Sequence, residues 1–406
     1  MKESKKLQAL MEQDKQFLFQ NYGTRLPVCF THGKGSELFD QDGKRYIDFF
    51  AGIAVNSLGY NHQALNKALH SQVNKILHSS NWYFNKEQIE AAKLISKTAF
   101  PGKTLFTNSG TEASEAAIKL ARKYGLSQSH KMYHIISFTN SFHGRTFGAM
   151  SATAQEKIHS GFGPIVPGFI YVPFNEIEAF KKTIKKYNGK ICAVITELVQ
   201  GEGGIKIADS TFIKEIDAIT KENNILFIID EVQTGIARTG KMFAFQHYGI
   251  TPDIITMAKG LGGGVPIGAI HTKDFLVEYF PKGTHGTTFG GNHLATAAAK
   301  AVLETLSKES SLNNIRKAGE LIIKELSLMK SKYPKLIVDV RGIGLHIGVE
   351  LSIPGQPLVL EALQKGLVIN CTAEKVIRIM PPLTISKKLV QEGLLILDSI
   401  FAGASV

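Results

Sequence analysis

Between residues 100 and 275 short apolar, β-branched runs alternate with amphipathic stretches, and this alternation restricts the fold more than any other feature of the chain. The runs are TLFT, YHIISF, ICAVIT, ILFIID, DIITMA and IGAIHT, and the stretch after the first reads as a helix over 111–124. Runs of this length and composition suit strands, and strands separated by helices belong to a mostly parallel sheet covered on both faces. The centre of the chain is therefore expected to be α/β.

The flanks read differently. A long helical stretch spans about 295–331, after which LIVDV and LHIGVEL are split by RGIG, and LVIN and VIRIM by TAEK. Both pairs suggest antiparallel strands, followed by a last helix over about 385–401. SELFDQDGKRYIDF suggests a small hairpin around Asp42-Gly43 that packs with the C-terminal part. With 406 residues the chain exceeds the ~250–300 at which single cores stop growing, so a large domain with a smaller companion is expected. The boundaries expected are a large domain over 61–300 and a small α+β domain built from 1–60 and 301–406.

The net charge of +12 raises the question of a nucleic-acid or membrane partner. The lysines are spread as short pairs on polar helix faces and are not interleaved with aromatics, so neither partner is expected. Cys29, Cys192 and Cys371 are odd in number and widely spaced, which indicates neither a disulfide framework nor a metal site. The first twenty residues lack the apolar run of a signal peptide, and no run of ~18 apolar residues occurs, so a cytoplasmic protein is expected.

Ligands of parallel sheets gather at the carboxyl ends of the strands, and the residues there carry the chemistry. After TLFT, Ser109, Gly110 and Thr111 open a helix, where free N–H groups suit a phosphate; taken alone, a simple N-cap by Ser109 or Thr111 is the plainer reading. After YHIISF, Phe142 offers a face for a planar ring and Arg145 a fork for a carboxylate, with His143 between them; a core phenylalanine and a surface ion pair are the plainer alternative. ILFIID ends in Asp230, a buried carboxylate that a protonated pyridine nitrogen would keep ionised, or else a helix cap or a metal ligand, the last disfavoured because no His or Cys lies at ligand spacing nearby. DIITMA ends in Lys259, followed by GLGGGVPIGA; a lysine there must be neutral, paired or covalently engaged, and an imine to an aldehyde cofactor satisfies it. No GxxxxGK[ST] order supports a P-loop. Together the four sites supply a phosphate cradle, a ring stack, a nitrogen partner and an amine, which points to pyridoxal 5′-phosphate.

At these residues the chain resembles the class III aminotransferases, fold-type I enzymes that use pyridoxal 5′-phosphate, and within them the acetylornithine aminotransferase branch. The resemblance runs from GKGSELFDQDGKRYIDFFAGIAVNSLGY through SGTEASEAA, FHGRT, ELVQGEGG, DEVQTG, MAKGLGGGVPIGA and HGTTFGGNHLA to VIRIMPPLT. It implies a seven-stranded, mostly parallel large sheet and a homodimer with shared active sites. It implies that Lys259 binds the cofactor aldehyde and then shuttles the proton. Asp230 would pair with the pyridine nitrogen, Gln233 with the ring hydroxyl, and Phe142 and Val232 with the two ring faces. Ser109, Gly110 and Thr111 would hold the phosphate, joined by Thr288 of a neighbouring subunit, with His143 lining the pocket.

For the substrates the same resemblance assigns Arg145 to the distal carboxylate and Arg378 to the α-carboxylate of glutamate. Glu202 would mask Arg378 when the ω-amine donor is bound, Glu197 would support the site, and Tyr22 would touch the donor chain. No metal is implied. The chain departs from the family pattern at Leu198 and His293, where prolines are usual, and at Ser114, where asparagine is common. The reaction implied is transfer of the δ-amino group of N2-acetylornithine to 2-oxoglutarate in arginine synthesis. Ornithine, N-succinylornithine, N-succinyl-diaminopimelate and 4-aminobutyrate are alternative donors, and an aminomutase or a silent homologue are alternative classes. A small Gly52, where ornithine-specific relatives place tyrosine, favours an acylated donor.

Overall fold

A computed structural model describes residues 4–404. Seven strands form the large sheet: β1 (Lys103–Thr107), β2 (His134–Phe138), β3 (Phe169–Val172), β4 (Ile191–Glu197), β5 (Leu226–Asp230), β6 (Ile254–Met257) and β7 (Gly268–Thr272). Their spatial order is β1-β7-β6-β5-β4-β2-β3. Only β7 runs antiparallel, to both β6 and β1, and the remaining pairings are parallel. Every residue of β4, β5, β6 and β7 is buried, as a sheet covered on both faces requires. Six of the strands are the apolar runs read from sequence. The seventh, β3, is the four-residue edge FIYV, whose only sheet partner is β2 and which carries one fully buried side chain. Such a strand has too little apolar surface to stand out.

Helix α1 (Gly110–Gln128) presses on the sheet through its small residues Ala113, Ala116, Ala117 and Ala121, and it runs past the expected 111–124 with Gly125 buried, where a Cβ would collide with the Met132 carbonyl and Cys192. The long C-terminal stretch is two helices, His293–Leu306 and Glu309–Lys332, because Lys308 adopts an extended conformation between them. The last helix covers Lys387–Gly403. Among the described residues no helix is long and apolar enough to cross a membrane.

The hairpin around Gly43 forms, with Leu38 opposite Tyr46 and φ of +82° at the glycine, a left-handed value that glycine tolerates. Ile337–Ile343 pairs antiparallel with His346–Leu351. The pairing of LVIN with VIRIM needs correction. Leu367–Val368 instead runs parallel to Ile47–Asp48, and only Asn370–Thr372 turns back antiparallel on Val376–Ile379. The apolar pair gains more by closing the N-terminal sheet than by continuing the hairpin, and it thereby ties the two chain ends into one four-stranded sheet.

Candidate active site

Loops at the carboxyl ends of β1, β2, β4, β5 and β6 converge on a cavity of about 430 Å³. Its lining includes Ser109, Gly110, Thr111, Phe142, His143, Arg145, Glu197, Glu202, Asp230, Val232, Gln233 and Lys259. Strand register explains part of this convergence: Asp230 lies opposite Glu197 on one side and Thr256 on the other.

At the start of α1, Ser109 accepts from the Glu112 N–H at 3.3 Å, so the plain cap is present. The N–H groups of Gly110 and Thr111 find no acceptor among the described residues, as befits the first turn of a helix. A Cβ on Gly110 would lie 2.9 Å from Val232 Cγ1, so only glycine leaves room there. The Thr111 hydroxyl accepts from the N–H of Arg145 at 3.1 Å, joining the helix start to the β2 loop.

Asp230 is 4% exposed and fully engaged. One carboxylate oxygen accepts from Thr256 Oγ1 and the Val232 N–H, each at 3.0 Å, and the other meets His143 Nδ1 at 2.7 Å. Burial opposes a charge on His143, but the hydrogen bond and charge of Asp230 outweigh it and raise its pKa. His143 Nε2 is buried without a partner among the described residues. Burial pushes Glu197 up to about 7, and its Oε2 accepts the Phe142 N–H at 2.9 Å, fixing the loop that carries the ring.

Lys259 occupies the left-handed region at φ +42°, a strained conformation for a residue with a side chain. Burial lowers its pKa, with Asp230 and Glu202 opposing. Its amine makes no hydrogen bond or ion pair among the described residues. Behind Glu202 stands Arg378, 3% exposed, which it meets at 2.6 Å. Burial alone would raise the Glu202 pKa, but the Arg378 charge and hydrogen bond lower it. Asn370, directly across the ladder from Arg378, accepts from its Nε at 2.8 Å. Arg145 is exposed, holds no ion pair among the described residues and lies over the Phe142 ring at 5.8 Å.

Thr288 and Tyr22 do not line the cavity within one chain; Thr288 is exposed and Tyr22 is 79% exposed. Gly52 also lies outside the lining, in a left-handed run over 51–54. His293 opens its helix and bonds Ser79 at 2.8 Å, a position where proline is otherwise favoured for its fixed φ. Leu198 is simply core, and the Ser114 hydroxyl is buried without a partner among the described residues. Sequence reasoning missed Thr256, His346 and Asn370. The first two were visible as polar residues inside apolar strands; Asn370 carried no signal, because its role depends on the hairpin register.

Lone amine, engaged carboxylate, open helix terminus and flanking apolar faces suit a phosphorylated aromatic aldehyde. Comparison with known proteins agrees. The profile of the class-III aminotransferases matches residues 19–401. An acetylornithine aminotransferase from Caldanaerobacter subterraneus subsp. tengcongensis is 47% identical over 391 residues, covering 96% of this chain and 98% of the relative. Among solved structures, an acetylornithine aminotransferase from Elizabethkingia anophelis matches with a TM-score of 0.87 and 32% identity, covering 98% of this chain and 99% of the other. An ornithine aminotransferase from Toxoplasma gondii, described with partial occupancy of PLP at its active site, matches with a TM-score of 0.93 and 30% identity over 98% of this chain and 94% of the other. With a matching profile over nearly its whole length and this set of groups at the strand ends, the chain belongs to the class-III aminotransferases.

Proposed function

We propose that the protein transfers the δ-amino group of N2-acetylornithine to 2-oxoglutarate, yielding N-acetylglutamate 5-semialdehyde and glutamate, as in arginine synthesis. Its cofactor is pyridoxal 5′-phosphate, which supplies the electron sink that lets the amine-bearing carbon lose a proton. The N–H groups of Gly110 and Thr111, with Ser109, would hold the phosphate, and Thr288 would join them from a second copy of the chain. Phe142 and Val232 would flank the ring. Asp230, steadied by Thr256 and His143, would keep the ring nitrogen protonated, and Gln233 would face the ring hydroxyl. Lys259 would hold the aldehyde carbon at rest and, once displaced by the donor amine, take the proton from the donor δ-carbon. Its depressed basicity suits both tasks.

One observation carries the substrate reading: Glu202 lines the cavity and meets the buried Arg378 at 2.6 Å, while Arg145 has no ion-pair partner among the described residues. N2-Acetylornithine brings one carboxylate, which Arg145 can take. Glutamate and 2-oxoglutarate bring two, so Arg378 must be released for that half-reaction. A buried arginine left alone would be costly, and the Glu202 carboxylate prevents this when no second carboxylate is bound. Glu197 would support the ring-bearing loop, and Tyr22 would reach the donor only from outside its own cavity. A cytoplasmic homodimer with shared sites completes the reading.

Its test is to mix the cofactor-loaded protein separately with N2-acetylornithine, N2-succinylornithine, ornithine and 4-aminobutyrate and follow the visible cofactor band. Fastest loss with acetylornithine, restored by 2-oxoglutarate, is expected. Faster loss with another donor would overturn the donor assignment, and a protein with no band would overturn the enzyme reading.

A further inference from the structure

Gln233 has an amide whose two ends meet different surroundings. Its Oε1 lies 2.9 Å from Nε2 of His346, a histidine with no exposed surface on the strand His346–Leu351. Its Nε2 reaches no acceptor among the described residues, and the residue lines the cavity beside Asp230 and Val232. Gly201 closes over the amide from the other side, where a Cβ would collide with Oε1.

Which end of the amide faces the cavity depends on the histidine. His346 Nδ1 is buried and has no partner among the described residues. If that nitrogen carried the ring proton, a buried donor would be left without an acceptor, the rarer and costlier defect. With the proton on Nε2, the ring donates to Gln233 Oε1 and leaves only an unfilled lone pair at Nδ1. Burial, joined by the positive charges of Arg238, Arg378 and Lys259, holds the His346 pKa well below its usual value, so the ring stays a neutral single donor. The amide is thereby oriented with both N–H groups toward the cavity.

We propose that His346 is a positioning residue that locks the Gln233 amide with its NH2 turned into the cavity, toward the ring oxygen of the cofactor. This rests on the functional reading above. A donor held on that oxygen shares its negative charge and weakens its hold on a neighbouring proton. Loss of the lock should therefore raise the pH at which the visible band of the holoenzyme titrates.

The experiment is a pH titration of that band in the pyridoxal-phosphate-loaded wild type, His346→Leu, His346→Gln, Gln233→Leu and the double variant His346→Leu/Gln233→Leu. For His346→Leu a rise of about 0.5–1 pH unit in the midpoint is expected. His346→Gln, which still offers a donor at the same reach, should return the midpoint to the wild-type value. The double variant should add nothing to Gln233→Leu, since both changes remove one interaction. A normal band with an unmoved midpoint in His346→Leu would overturn the inference alone, whereas a wild type without a band would overturn it together with the functional reading. Histidine 15N resonances of the wild-type holoenzyme give a readout independent of variant folding. A neutral Nε2–H ring unchanged through the neutral pH range is expected, and an Nδ1–H or charged ring would overturn the lock.

Discussion

Glu202 and Arg378 form the ion pair on which substrate choice turns. Arg378 is held by Asn370 as well, so it stays in place when its carboxylate partner is removed. Glu202→Ala should leave a preformed, unpaired guanidinium, and the variant should favour glutamate over the ω-amine donor by about tenfold relative to wild type, equivalent to ~1.4 kcal/mol. Half-reaction rates with each substrate measure this, and unchanged relative rates would remove the gate. Glu231 shows a different cost. It is 1% exposed, bonded by Thr234 and the Phe245 N–H, and pushed by burial from 4.5 to about 7. Between those values the folded state keeps a proton that the unfolded chain releases, so ionising Glu231 destabilises the fold as pH rises through that window. Glu231→Gln should thus gain stability relative to wild type from about pH 4.5 to about 7, by up to ~3 kcal/mol, and then level off. Urea unfolding at a series of pH values reads the difference, and a pH-independent gap would refute it. The identities of these residues were plain in the sequence, as was the need to satisfy Asp230 and Lys259. The pairings of Thr256 with Asp230, Asn370 with Arg378 and His346 with Gln233 were not, because each partner is supplied by a strand whose register no local pattern specifies.

The start of α1 joins local chemistry to packing. The sequence motif and the observed element agree there to within a residue, because the cap at Ser109 and the run of small residues both act locally. Gly110 is set by something less local, the approach of Val232 from the loop after β5. Gly110→Ala would drive Val232 toward the space assigned to the ring and should weaken cofactor retention by roughly tenfold, with little change in the apoprotein's unfolding midpoint. Fluorescence titration of the apoprotein with pyridoxal phosphate tests this; wild-type affinity would show that the cradle tolerates a methyl group. The elements misread from sequence share a cause. The edge strand β3 is too short, the helix break at Lys308 has no glycine or proline, and Leu367–Val368 is apolar enough for either of two sheets. In each case the outcome rests on tertiary partners, which outweigh propensities of a few tenths of a kcal/mol.

At the scale of the molecule, a large apolar surface is open. Trp82 is 91% exposed, Phe84 97% and Phe289 60%, and these segments adjoin one another because Asn81 donates to the Gly290 carbonyl at 2.9 Å. Patches of this kind mark interfaces, and Thr288 lies within this one. Trp82→Glu/Phe84→Glu should shift sedimentation from dimer to monomer at micromolar protein and weaken cofactor retention in parallel. Sedimentation of the wild type as a monomer would overturn the shared-site reading. The amino-acid sequence by itself determined the α/β centre, the strand-end positions of Phe142, Asp230 and Lys259, and the family, because periodicity, capping and short motifs are written within a few residues of one another. Only the tertiary structure decided the strand order with β7 reversed, the union of the two chain ends in one sheet, and the contacts of Asp230 with His143, Arg378 with Asn370, and Gln233 with His346. Those pairings join residues up to well over a hundred positions apart, and they form because buried polar groups must find partners wherever the packed sheets bring them.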